Sequence, residues 1–391
     1  MSEPGPGSGP VGEVAARRPP VRLPVLGPSV VPGPSLPDAA SLPAEAAPLA
    51  DGLSRRIEYL RVSLTDRCNY RCTYCMPEEG VDLVAKPEIL SFEELEQIVA
   101  ALQAAGVRRV RLTGGEPTVR KDLLELVARL GRLGLDDLAL STNGERLVEL
   151  AEPLRRAGLQ RLNVSLDSLD PERFRRVTRR GHLDRVLAGL EAARAAGFRH
   201  TKLNAVAMRG FNEDEIGALC RYAFDRGFVP RFIELMPMAE GALFYPGTFL
   251  PVAEIRAALR REFGELVEPA ELGAATSAVP GVGPARHVGV RYAGAVHRVG
   301  LIAAVTEPFC DTCNRVRLSA TGQLHACLAY DDAIDLRGVL RGGRASGLGG
   351  AALSAAIVQV ARAGLSGKRP GHVFTPSGCG GPQKHMVSIG G

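Results

Sequence analysis

The sequence predicts an α/β protein: an open, partial TIM-type barrel of six βα units, followed by a C-terminal region of different character. Three observations lead there. From Tyr59 onward, short apolar strands alternate with amphipathic helices. Each strand carries one apolar and one polar face. After Met236 the strand–helix rhythm fades, and a second group of cysteines follows.

Residues 1–52 hold 12 of the 28 prolines and little apolar periodicity, so they are expected to form a disordered extension. The barrel is expected over residues 53–236, with strands at 59–65, 108–114, 137–143, 161–167, 201–207 and 229–236. Helices fill the intervals, and three carry start signals. Ser91 with Glu94 forms a capping box, Asp170 precedes Pro171, and Asn212 with Glu215 repeats the box. In the fourth strand Leu162, Val164 and Leu166 share a face, while Asn163, Ser165 and Asp167 share the other. Val62 and Leu64 alternate with Arg61 and Ser63, Val110 and Leu112 with Arg111 and Thr113, and Leu203 and Ala205 with Lys202 and Asn204. A doubly wound sheet, covered by helices on both sides, favours nearly continuous apolar strands. A single apolar face puts helices on one side and turns the polar face into a wet barrel interior. The same pattern also admits an ordinary sheet with scattered exposed polar residues. Residues 237–391 are expected to cover one end of the barrel.

At 391 residues and 45% hydrophobic composition, the chain can bury one large core and a smaller unit. It shows neither an apolar run of membrane-spanning length nor a basic-then-apolar leader, so a cytoplasmic protein is expected, with no membrane partner. A net charge of +5 is modest for this length and does not point to nucleic acid. The eight cysteines fall into two groups, Cys68/Cys72/Cys75 and Cys310/Cys313/Cys327, plus Cys220 and Cys379. Such grouping in a large chain reads as metal or cluster ligation. Cys220 reads as a small buried residue, and Cys379 carries no assignment.

Cys68, Cys72 and Cys75 directly follow the first strand, at the end where barrels of this kind place their chemistry. Three thiolates in one short loop can hold three irons of a cubane cluster and leave the fourth open. A closed zinc site wants four ligands, and no His or Cys stands nearby to complete it. The stretch RVSLTDRCNYRCTYCMP, Arg61–Pro77, resembles the radical S-adenosylmethionine superfamily. The resemblance implies a six-unit open barrel and a [4Fe-4S] cluster. Its open iron binds S-adenosylmethionine, which is cleaved to a 5′-deoxyadenosyl radical. Thr113-Gly114-Gly115-Glu116-Pro117 is similar to the segment that approaches the methionine end of that cofactor. Tyr74, Gly115, Ser165 and Met236 fall at cofactor-contact positions of the superfamily.

The second group has two residues between Cys310 and Cys313, and thirteen more before Cys327. By spacing alone, a second cluster and a Cys3His zinc site using His325 are equally open. FCDTCNRVRLSATGQLHACL, Phe309–Leu328, resembles the C-terminal cluster segment of the GTP 3′,8-cyclases of molybdenum cofactor biosynthesis. That resemblance, over about residues 57–391, implies a second [4Fe-4S] cluster whose open iron meets the guanine of GTP. It also implies GTP contacts at Arg61, Arg111, Ser141, Lys202, Arg315, Val316 and Arg317, with Arg317 steering ring closure. The implied reaction takes hydrogen from ribose C3′ and joins C3′ to C8.

The implied partners are an electron donor such as flavodoxin or ferredoxin, cyclic pyranopterin monophosphate synthase downstream, and a second copy of the chain in a homodimer. The terminal Gly390-Gly391 resembles a family tail that enters the cavity. Two other readings stay open at this point: a radical enzyme with an auxiliary cluster that modifies peptide or RNA, and a zinc-stabilised binding module without activity.

Overall fold

The computed structural model describes residues 47–268 and 283–390. Most of the expected extension, residues 1–46, and the last residue of the tail, Gly391, lie outside the described residues.

The six expected βα units are present. In chain order they are β1 (Tyr59–Ser63), α1 (Phe92–Ala104), β2 (Arg109–Thr113), α2 (Leu123–Gly131), β3 (Asp137–Thr142), α3 (Leu147–Arg156) and β4 (Arg161–Ser165). Then come α4 (Pro171–Thr178), α5 (Leu183–Ala195), β5 (Lys202–Ala207), α6 (Ile216–Asp225), β6 (Val229–Glu234) and α7 (Val252–Phe263). Strands β1 to β6 run parallel, each beside the next. The apolar positions behave as their alternation demands: Leu60, Val62, Val110, Leu112, Leu162, Val164 and Leu203 are buried in one core with the helices. The opposite positions line an interior cavity.

Local signals set two of the three helix starts. Ser91 and Glu94 form the reciprocal capping box of α1, and the Asp170 carboxylate accepts from Arg173 N ahead of Pro171. The third expectation is corrected. Asn212 caps nothing. Its side-chain carbonyl accepts from Met208 N, and its amide donates to the carbonyls of Asp167 and Val206. Glu215 accepts from Ser168 Oγ and Leu169 N. These residues tie loops beyond β4 and β5, because buried loop amides there need partners more than the following turn needs a cap.

The C-terminal region is not simply a lid on one end of the barrel. After α7 come β7 (Arg286–Tyr292), β8 (Ala295–Ile302), β9 (Arg315–Leu318), β10 (Gln323–His325), β11 (Ile334–Asp335), α8 (Leu336–Ala345) and α9 (Gly350–Leu365). They extend the barrel sheet at both edges, giving the order β11-β10-β9-β1-β2-β3-β4-β5-β6-β8-β7. Strand β9 lies parallel to β1 with Arg317 opposite Arg61, and β8 lies parallel to β6. The β7–β8 hairpin turns at Ala293 and Gly294, both with positive φ (48° and 77°). An Ala where such turns usually carry Asn or Asp hides that hairpin in the sequence.

Contacts with the barrel are already made before residue 53. Leu49 is 0% exposed; its N–H donates to Ala105 O at 2.7 Å and its carbonyl accepts from Ile57 N at 2.8 Å. One buried leucine and a bridge between Ala50 and Arg56 suffice to pin residues that proline content had grouped with the extension. Among the described residues, no helix is long and apolar enough to cross a membrane.

Candidate active site

The polar interior encloses a cavity of about 280 Å3. Every strand from β1 to β6 contributes. Arg61, Arg111, Ser141, Asn163, Ser165, Lys202, Asn204 and Arg231 line it, and β9 adds Arg315 and Arg317. The pairing register explains the grouping: Arg61 is opposite Arg111 on one side and Arg317 on the other, Ser141 is opposite Asn163, and Asn163 is opposite Lys202.

Burial and mutual repulsion make this a strained cationic surface. Lys202, 2% exposed, is pushed down to about 5, by burial first and then by Arg231, Arg161 and Arg111. Arg231 falls to about 9 through burial and Arg111. Arg317 falls to about 10 through burial and Arg315. The acids that line the cavity are engaged elsewhere, Asp137 with Arg161. Asp167 accepts from Tyr74 Oη and Val206 N, both at 2.8 Å. Glu234 accepts from Val252, Val305 and Thr306. Nε of Arg111 and Arg231 and Oδ1 of Asn163 and Asn204 are buried without a hydrogen-bond partner. A polyanion carrying both donors and acceptors suits such a wall.

The first cysteine group sits just beyond β1 and is held from two sides. At the C-terminal end of α4, Thr178 O accepts from Arg71 N and Val177 O from Thr73 N, while Arg179, at φ 61°, donates to the carbonyls of Arg71 and Met76. Opposite, Gly115 N donates to Thr65 O and Glu116 N to Arg67 O. A Cβ on Gly115 would stand 2.2 Å from Arg67 O, so only glycine permits this approach. Buried Glu116 accepts from Thr118, Thr142 and Asn143, joining the ends of β2 and β3. Gly115 thus braces the cysteine loop from behind and, like Cys68, Cys72 and Cys75, is not brought to the cavity wall. Tyr74, Ser165 and Met236 are.

Cys310, Cys313 and Cys327 stand on the cavity wall, and all eight cysteines are free thiols. Burial, with the charge of neighbouring thiols, pushes Cys75 up to about 12 and Cys72 well up; burial and Glu116 push Cys68 up to about 11. Cys313 goes the other way: burial opposes ionisation, but Arg315 and Lys368 outweigh it. Thiols crowded out of water gain from ionising only when cationic metal binds them. Among the described residues, no three His, Cys, Asp or Glu are arranged around a single metal ion. Both donor sets fit a cluster held by three thiolates.

His325 does not join the second group. It is 2% exposed, and its Nδ1 lies 3.1 Å from Asp332 O and 3.3 Å from Lys384 Nζ; burial and Lys384 hold it down near 3. Val316 is also not brought to the wall. Strand alternation that turns Arg315 and Arg317 inward turns Val316 into the hydrophobic core. Gly390 is brought in: its carbonyl accepts from Arg317 Nη1 at 2.5 Å. Two contributors went unnoticed in the sequence. Arg231 was legible from the same alternation that exposed Arg61. Lys368, 3.8 Å from Cys313 Sγ, gave no local signal.

Known proteins resemble this chain over most of its length. Residues 62–223 match the Radical SAM superfamily, and residues 229–372 match Molybdenum Cofactor Synthesis C. A GTP 3′,8-cyclase of Rhizobium etli is 47% identical over 307 residues, spanning 78% of this chain and 84% of that one. One of Heliobacterium modesticaldum is 43% identical over 347 residues, spanning 88% of this chain and 100% of that one. One of Pseudomonas entomophila is 48% identical over 295 residues, spanning 75% and 85%. This chain, a radical S-adenosylmethionine enzyme with an iron–sulfur cluster, belongs to the GTP 3′,8-cyclase family.

Proposed function

We propose that the protein converts GTP to (8S)-3′,8-cyclo-7,8-dihydroguanosine 5′-triphosphate, the first step of molybdenum cofactor biosynthesis. The observation that carries this reading is a cationic cavity with one three-thiol group, Cys310, Cys313 and Cys327, on its wall, and Tyr74 from the loop of the other three-thiol group also lining it. Cys68, Cys72 and Cys75 would hold the cluster that binds S-adenosylmethionine, and Cys310, Cys313 and Cys327 would hold a second [4Fe-4S] cluster on the side of the guanine-binding residues. The cluster with S-adenosylmethionine supplies a carbon radical strong enough to take hydrogen from an unactivated C–H bond.

The chain's own residues bind, orient and exclude water. Arg61, Arg111, Lys202 and Arg231 neutralise the triphosphate, which relieves their mutual repulsion. Ser141 and Asn163 offer a hydroxyl and an amide between them. Tyr74, fixed by its bond to Asp167, Ser165 and Met236 form the wall for S-adenosylmethionine. Arg315 and Arg317 flank the base, with Arg317 steered by Gly390 O. The cavity wall holds the ribose of GTP against the side formed by Tyr74, Ser165 and Met236. A donor such as flavodoxin or ferredoxin supplies electrons, and cyclic pyranopterin monophosphate synthase consumes the product.

The test is anaerobic incubation of iron-reconstituted protein with GTP deuterated at C3′, S-adenosylmethionine and a reductant. Chromatography with mass spectrometry should find deuterium in 5′-deoxyadenosine and a cyclised nucleotide that has exchanged that deuterium for a solvent proton. Cleavage of S-adenosylmethionine without deuterium transfer would remove GTP as the substrate.

A further inference from the structure

Behind the second cysteine group, residues 366–372 form a strap between α9 and the tail. Lys368, 5% exposed, lies within it. Its ammonium group has three acceptors for its three protons: Arg315 O at 2.8 Å, Cys313 O at 3.4 Å and Cys313 Sγ at 3.8 Å. The strap is braced from the far end of the chain. Arg55 Nη1 donates to Cys310 O at 2.7 Å and Pro370 O at 3.2 Å, and Nη2 donates to Arg369 O at 2.9 Å. Arg55 Nε is in turn paired with Asp51 at 2.6 Å. Tyr330 Oη closes the strap by donating to Gly371 O at 2.8 Å.

A buried ammonium is costly unless its charge is used. The acids beside the strap are committed to arginines, Asp51 to Arg55 and Asp332 to Arg369, and Lys368 faces two carbonyls and a cysteine sulfur. A lysine needed only to tie β9 to the strap would require the carbonyls alone. Hydrogen bonds and fixed charge at ligand sulfurs set the potential of an iron–sulfur centre, since reduction adds negative charge that a nearby cation offsets.

We propose that Lys368 is a positioning residue for the second cluster, its ammonium donating to the Cys313 thiolate and raising the cluster's reduction potential. The proposal rests on the reading of the second cysteine group as a cluster site. Asp51 and Arg55 keep the donor in place.

The experiment uses the full chain carrying Cys72→Ala, so that the second group supplies the cluster signal, reconstituted anaerobically and titrated with dithionite under electron paramagnetic resonance. Adding Lys368→Met should make reduction roughly tenfold less favourable, a shift of about 59 mV to more negative potential for one electron. Lys368→Arg, which keeps a cationic donor, should recover part of it. Should Lys368→Met fail to retain iron, Lys368→Gln, neutral but still hydrogen-bonding, must show the negative shift. An unmoved potential in an iron-retaining Met or Gln variant overturns the role of Lys368 and leaves the cluster standing. A parent that binds zinc and gives no cluster signal overturns both.

Discussion

Lys202 concentrates the electrostatic problem of the cavity in one side chain. Its ordinary value of 10.5 falls to about 5 in the folded protein through burial and the surrounding guanidinium groups. Between those values the unfolded chain binds a proton that the folded protein does not, so this group makes ligand-free stability rise with pH across that window. Triphosphate reverses the balance by favouring the charged form. At pH 7, GTP binding should therefore take up about one proton. Calorimetry in buffers of different ionisation enthalpy measures this uptake. Lys202→Met should bind GTP at least tenfold more weakly, and without proton uptake; uptake that persists in the variant would assign the proton to another group. Guanosine, without phosphates, should bind both proteins alike.

The tail shows how a short element can be placed by a few contacts. Val387 and Ile389 are buried, and they seat the turn Met386–Ile389 so that Gly390 reaches Arg317. Gly390 has φ +72°, and a Cβ there would lie 2.3 Å from Thr113 Oγ1. Both the backbone and the space require glycine. Gly390→Ala, or deletion of Gly390 and Gly391, should leave iron content and S-adenosylmethionine binding intact. Cyclised product should fall roughly tenfold or more, because Arg317 loses the contact that orients it. A synthetic peptide of the native tail should restore part of the deleted protein's activity. Full activity in the truncated protein would reduce the tail to an end without function.

Over the whole molecule, one cysteine group stands on the cavity wall and the other follows β1 in the loop that brings Tyr74 to it. Cys72→Ala and Cys327→Ala should each halve the iron bound by the reconstituted protein. Only Cys72→Ala should abolish cleavage of S-adenosylmethionine; Cys327→Ala should keep uncoupled cleavage and form no cyclised nucleotide. Equal loss of cleavage in both would refute the division of roles. The stretch 47–56 belongs to the same global design, since it packs on the first βα unit through Leu49 and braces the second cysteine group through Arg55. Leu49→Ala should cost about 2–5 kcal/mol in chemical unfolding, as for a fully buried leucine. A cost below 1 kcal/mol would show that this segment is not part of the cooperative core.

What the sequence determined by itself is local: the six strands with their inward and outward faces, the capping box at Ser91, the Asp170 cap, and two cysteine groups each one ligand short of closure. Alternation and capping depend on neighbours a few residues apart, so composition and spacing carry them. Even Arg231 was within reach of that logic. The tertiary structure decided what depends on closure of the sheet. It set β9 beside β1, so that Arg317 meets Arg61 across some 250 residues of chain, and it turned Val316 away from the same cavity. It set His325 Nδ1 between Asp332 O and Lys384 Nζ, off the cavity wall on which the three cysteines stand. It also brought Arg55 and Lys368 together against the second cysteine group. No periodicity encodes such meetings, because the energy that selects them is burial and hydrogen bonding between segments that become neighbours only when the whole sheet has formed.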